Sequence, residues 1–138
     1  MSFLVDTNVL SEMTRQAPDP SVVDWLSEHQ SQLYICTITI GEIRYGIERL
    51  PYGRRQKSLR VWLKQTCRLM EGRILGFNTS VGHVWGQLRA SWEAQGLRVS
   101  TIDGQIAAIA VRHGLIVATR NGNDFERVEI RTVNPFSD

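Results

Sequence analysis

Short apolar runs of β type alternate along the whole chain with longer stretches of helical periodicity, and this constrains the fold more than any other feature. Phe3-Leu4-Val5, Leu33-Tyr34-Ile35-Cys36 and Leu115-Ile116-Val117-Ala118-Thr119 are such runs, the last apolar enough for a strand buried on both faces. A weaker run covers 72–77 and an edge strand is expected around 128–133. Between them, Asp19-Pro20 reads as an N-cap followed by proline at the first helical position. Ile40, Ile43 and Ile47 mark a helix ending near Gly46 or Pro51. Residues 54–70 form another, with Leu59, Trp62, Leu63, Thr66 and Leu69 as its inner face. Val81, Val84, Trp85, Leu88 and Trp92 trace a helix capped by Thr79 or Ser80. A short buried helix begins at Asp103 and closes on Gly114. Strands separated by helices predict an α/β fold, with a mostly parallel central sheet of four to five short strands flanked by helices.

The 138 residues are expected to form a single domain, 1–138. No internal repeat occurs, and the longest apolar run, Ile106 to Val111, is far short of the roughly 20 residues of a membrane span. The first residues carry no basic region and place a carboxylate at position 6, unlike a signal peptide, and the two cysteines have no CxxC spacing. A cytoplasmic protein with free thiols, not associated with membranes, is therefore expected. Net charge is only +2, but seven basic residues and no acid lie between Arg49 and Met70. Within them Lys57, Arg60, Lys64 and Arg68 share one helical face, either a solvated surface or a track for a polyanion.

The acids fall where this layout concentrates chemistry. Asp6 directly follows the first strand, and Glu42 lies in the first turn of the helix after the second. Asp103 starts a helix, and Asp124 occupies the loop after the most apolar strand. In open α/β sheets the ligand crevice lies outside the carboxyl ends of the strands, so four acids distant in sequence are expected at one rim. Clustered carboxylates repel unless a cation joins them, and oxygen donors suit Mg²⁺ or Mn²⁺. Each acid also has a plainer reading. Thr39-Ile-Gly-Glu42 matches a capping box, Asp103 an N-cap and Asp124 a turn residue. Asp6 alone has no capping role that demands it.

Leu4-Val-Asp6-Thr-Asn-Val-Leu-Ser-Glu12, Thr37-Ile-Thr-Ile-Gly-Glu42-Ile-Arg-Tyr-Gly46, Asp103-Gly-Gln-Ile-Ala-Ala108 and Ala118-Thr-Arg-Asn-Gly-Asn-Asp124-Phe125 together resemble PIN-domain ribonucleases of the VapC type, most of all their FitB-like branch. The resemblance runs from Phe3 to Asn134-Pro135 in order and spacing. It implies a metal-dependent RNA endonuclease, the toxin of a toxin–antitoxin pair. It also implies a homodimer, inhibited by a small antitoxin that binds DNA as well. By position, Asp6, Glu42 and Asp103 match the three core acids of that family and Asp124 the fourth. Some FitB-like members carry an acid where Asn121 stands, and relatives often carry Asp where this chain has Asn78. On this reading Asp6 and Asp103 ligate Mg²⁺ or Mn²⁺, and Glu42 and Asp124 hold a second ion or its waters. Thr7, Asn8, Thr119 and Asn121 position acids or phosphate. The competing readings are a phosphoacceptor domain, disfavoured because both lysines lie mid-chain, and a degenerate PIN domain that only binds protein.

Overall fold

The computed structural model describes residues 1–138. Five strands, β1 (Phe3–Val5), β2 (Leu33–Cys36), β3 (Ile74–Leu75), β4 (Ile116–Ala118) and β5 (Thr132–Val133), form one sheet in the order β3-β2-β1-β4-β5. Every pairing is parallel, as strands joined through helices require. Seven helices surround the sheet: α1 (Thr7–Glu12), α2 (Pro20–Glu28), α3 (Thr37–Glu48), α4 (Arg54–Leu69), α5 (Thr79–Ala94), α6 (Thr101–His113) and α7 (Gly122–Glu126).

The strands bury both faces, and their side chains alternate between two cores as the pleat dictates. Leu4, Cys36 and Val117 point into a core shared with α5 and α6. Phe3, Val5, Leu33, Ile35 and Ile116 point into another, covered by α1 and α2. Chain order runs outward from β1 through β2 to β3, then restarts on the other side of β1 with β4. The sheet therefore reverses direction between β1 and β4. At such a switch point the loops leave in opposite directions and open a crevice at the carboxyl ends.

Several local expectations are corrected. The first strand passes straight into an unforeseen helix, α1, and Asp6 is its N-cap, with Oδ1 accepting the Thr7 N–H at 2.8 Å. Asn78 caps α5, accepting from the Val81 N–H, where Thr79 or Ser80 was expected. The capping box at Thr39 does not form: α3 begins two residues earlier, with Cys36 as its N-cap, and runs on to Glu48. The inner face of α4 excludes Leu69, which is 79% exposed, because the helix ends there and the core has already turned away. The apolar residues Ile43, Ile47 and Leu63 are buried against one another, so they leave no spare surface between α3 and α4. The last strand is limited to Thr132–Val133. Residues 127–131 turn through Glu129 at φ 65°, which tucks Val128 and Ile130 into the core.

Candidate metal centre

The carboxyl ends of β1 and β4 meet in a hydrogen-bonded knot around Asp6. Its backbone N–H continues the ladder to the Ala118 carbonyl at 2.9 Å, which leaves the side chain at the mouth of the switch-point crevice. The carboxylate is 4% exposed. Oδ1 is taken by the Thr7 N–H, and Oδ2 accepts the Thr119 hydroxyl at 2.7 Å and the Asn8 amide at 3.4 Å. Thr119 is fully buried, and its oxygen also accepts the Asn121 backbone N–H at 3.0 Å. Asn8 closes the knot, its Oδ1 accepting the Arg120 N–H at 3.1 Å. Two residues at the start of α1 and three of the β4 exit thus fix a single carboxylate. Burial pushes the Asp6 carboxyl above its ordinary range, against the pull of the Thr119 and Thr7 bonds.

Asp103 arrives from a different element. Ser100, not Asp103, caps α6: its hydroxyl accepts the Asp103 N–H at 3.2 Å, which puts Asp103 in the first helical turn. Its carboxyl is raised first by burial, then by the charge of Asp6, and also by Asp124. These three acids therefore share one electrostatic neighbourhood. Asp124 is exposed, in the first turn of α7 and not in an irregular loop. Glu42 is half-buried in the second turn of α3, one turn later than expected, beside Thr7 at a cavity between α1 and α3. It makes no ion pair. Thr7 points its hydroxyl toward the buried Thr39 at 3.5 Å. Asn121 contributes its backbone, while its side chain is exposed and unbonded.

No three His, Cys, Asp or Glu side chains converge closely enough to enclose an ion. The donor set nevertheless suits a hard divalent cation. It is all oxygen, Asp6 and Asp124 raise the proton affinity of Asp103, and Mg²⁺ takes one or two carboxylates and completes its shell with water and phosphate oxygens. The expected RNA-contacting face of α4 is only partly free. Lys57, Lys64 and Arg68 are exposed, but Arg60 forms a bidentate pair with Glu48 at 2.8 and 3.0 Å, just outside the acid-free stretch.

Sequence reasoning missed Ser100, although Ser100-Thr-Ile-Asp103 carries the spacing of a capped helix start. It also gave no role to Glu12. That residue is buried, and it accepts the Asp19 N–H at 2.8 Å, joining α1 to the cap of α2.

The PIN domain family profile matches residues 3–131. The plasmid stability protein StbB of Pseudomonas syringae pv. tomato is 41% identical, over 97% of this chain and 98% of its own. Toxin FitB of Neisseria gonorrhoeae is 37% identical over 99% of each chain. VapC ribonuclease Y4jK of Sinorhizobium fredii is 33% identical over 97% of each. Among solved structures, that of FitAB bound to the IR36 DNA fragment superposes with a TM-score of 0.89 at 35% identity, covering 96% of this chain and 94% of that one. With β1 and β4 delivering Asp6 and Thr119 to a parallel-sheet switch point, and with these relatives spanning nearly its full length, the chain belongs to the PIN-domain family, in its FitB-like VapC branch.

Proposed function

We propose that the chain is a divalent-metal-dependent endoribonuclease, the toxin of a toxin–antitoxin pair, working in the cytoplasm as one nuclease domain over residues 1–138. The observation that carries this reading is the buried Asp6 carboxylate, oriented by Thr7, Asn8 and Thr119, whose charge together with that of Asp124 raises the Asp103 carboxyl. A ribonuclease named among full-length relatives supports RNA as the substrate class.

Asp6 and Asp103 would hold Mg²⁺, or Mn²⁺ in its place, with Glu42 and Asp124 accepting hydrogen bonds from its waters or holding a second ion. Such a cation, when bound, lowers the pKa of water for in-line attack on a phosphodiester and offsets charge on the leaving oxygen. The chain's own part is to keep the carboxylates fixed. Thr7 and Thr119 lock both oxygens of Asp6, so that it need not reorganise when substrate arrives. Asn8 and Asn121 tie the β4 exit to the same point, the latter through its backbone. Lys57, Lys64 and Arg68 offer positive charge to the RNA backbone, with Arg60 already committed to Glu48.

The proposed partners are a second copy of the chain and a small antitoxin that also binds DNA. The DNA-bound FitAB complex among its structural neighbours supports the latter. A basic antitoxin side chain suits the acidic rim by charge complementarity. Cleavage of single-stranded RNA should require Mg²⁺ or Mn²⁺ and stop in EDTA. Asp6→Asn should be at least about 100-fold slower, the scale of losing one key electrostatic group. Asp103→Asn, which leaves every cap in place, should show a comparable loss. Undiminished cleavage in excess EDTA would overturn the metal mechanism.

A further inference from the structure

We propose that a cavity of about 290 Å³ between the C-terminal half of α5 and the start of α6 is a subsite for one unstacked base of the RNA, held against Trp85 beside the Arg89 guanidinium. This deepens the ribonuclease reading above and rests on it.

Two of its lining residues belong to the start of α6, the helix that carries Asp103. Ser100 caps α6 by accepting the Asp103 N–H, and Gly104 is the next residue after Asp103. Gly104 lets α6 approach the indoles closely: a Cβ there would lie 3.3 Å from Trp85 Nε1 and 3.4 Å from the Trp92 ring. The two tryptophans differ. Trp92 is buried core, whereas Trp85 is only half-buried. Phe77 supports it edge-on at 5.8 Å, and Arg89 lies 5.5 Å over its ring while its Nε pairs at 3.3 Å with Glu93, which also lines the cavity. No hydrogen bond in the protein uses the Trp85 indole N–H, and no side-chain donor is left orphaned in the interior. The N–H therefore opens to the cavity. Arg98 lines the mouth, and its carbonyl is held by the Arg127 guanidinium at 2.6 Å.

A flat ring, a guanidinium above it, a free donor at its edge and a serine hydroxyl beside it are the features by which proteins take splayed-out bases of single-stranded RNA. A core tryptophan that only filled space would not leave its N–H unpaired at an open cavity.

The test measures binding in EDTA, where nothing is cut, using two single-stranded oligoribonucleotides of equal length and charge, one with all its bases and one abasic. The wild-type chain should bind the base-bearing strand about tenfold more tightly, the usual worth of one stacked base, with quenching of tryptophan fluorescence. Trp85→Leu should remove most of that ratio and leave the salt dependence intact. Arg89→Ala, an exposed position that does not threaten folding, should reduce the ratio by a few-fold. In Mg²⁺, Trp85→Leu should raise KM and spare kcat. Equal wild-type affinity for the two strands, or an unchanged ratio in both variants, would overturn the subsite even if the chain cleaves RNA. A wild-type ratio that disappears in the variants, in a chain that never cleaves RNA, would instead remove the ribonuclease reading and keep the base site.

Discussion

At the scale of single residues, the carboxylates of the crevice work against the fold that holds them. Asp103 has its carboxyl raised by burial, by Asp6 and by Asp124, so its charged form is disfavoured in the native state relative to the unfolded chain. The sign follows by linkage. Below the ordinary value of 3.8 the group is protonated in both states and adds no penalty. As pH rises through the interval up to the raised native value, the penalty develops, and it is complete at neutral pH. The first-turn position on α6 favours negative charge, and the carboxyl is raised in spite of it. Asp103→Asn should therefore melt about 1–4 °C above the wild type at neutral pH in EDTA, the range for a partly screened surface charge. The gap should close toward about pH 4, and saturating Mg²⁺ should shrink it by stabilising only the wild type. A variant less stable than the wild type in EDTA at neutral pH would show that Asp103 is not under electrostatic strain. Asp6 is the poorer subject for this measurement, because its side chain also caps α1.

At the scale of elements, what the sequence made legible followed periodicity, and what it concealed lay where one residue serves two elements. The strands Leu33–Cys36 and Ile116–Ala118, the helix from Pro20 and the Gly114 stop all stand where apolar spacing and cap residues put them. Helix α1 was hidden because its six residues are too short to display a period, and because Asp6 looked free of any structural task. Helix α7 was hidden for the same reason. The expectation that Asp6, Glu42, Asp103 and Asp124 share one rim came from strand ends and helix starts, whereas the knot of Thr119, Asn8 and Thr7 depends on side-chain directions that no spacing encodes. The basic face of α4 shows the limit of counting charges: Glu48, one residue outside the acid-free stretch, neutralises Arg60. Lys57 and Lys64 remain as free charges on that face. Replacing both by Gln should flatten the slope of log K against log salt by roughly 0.7 per lost single-strand phosphate contact, while Arg60→Gln should change it less. An unchanged slope in the lysine double variant would make α4 a solvated face.

At the scale of the whole molecule, the parallel sheet with two covered faces accounts for most of the buried apolar side chains, and the remaining apolar surface shows where two copies can meet. The exposed face of α4 carries Lys57, Lys64 and Arg68 around Val61. A two-fold axis would set that face against itself and bring like charges together. Ile43, Ile47 and Leu63 are already buried within one chain. Of the other exposed apolar side chains, which also include Tyr45, Tyr52 and Val111, two sit together at the other end of α4. There Leu69, 79% exposed, and Met13, 36% exposed, border a cavity between α1, α2 and Met70. No helix of the fold is long and apolar enough to cross a membrane. The proposed homodimer should therefore form through the Leu69 end. Light scattering at tens of micromolar should report twice the chain mass, Leu69→Glu should return it to one, and Val61→Glu should leave it unchanged. A wild-type monomer at that concentration would sink the dimer, and a dimer lost through Val61→Glu instead would move the contact onto the basic face and remove α4 from the RNA path.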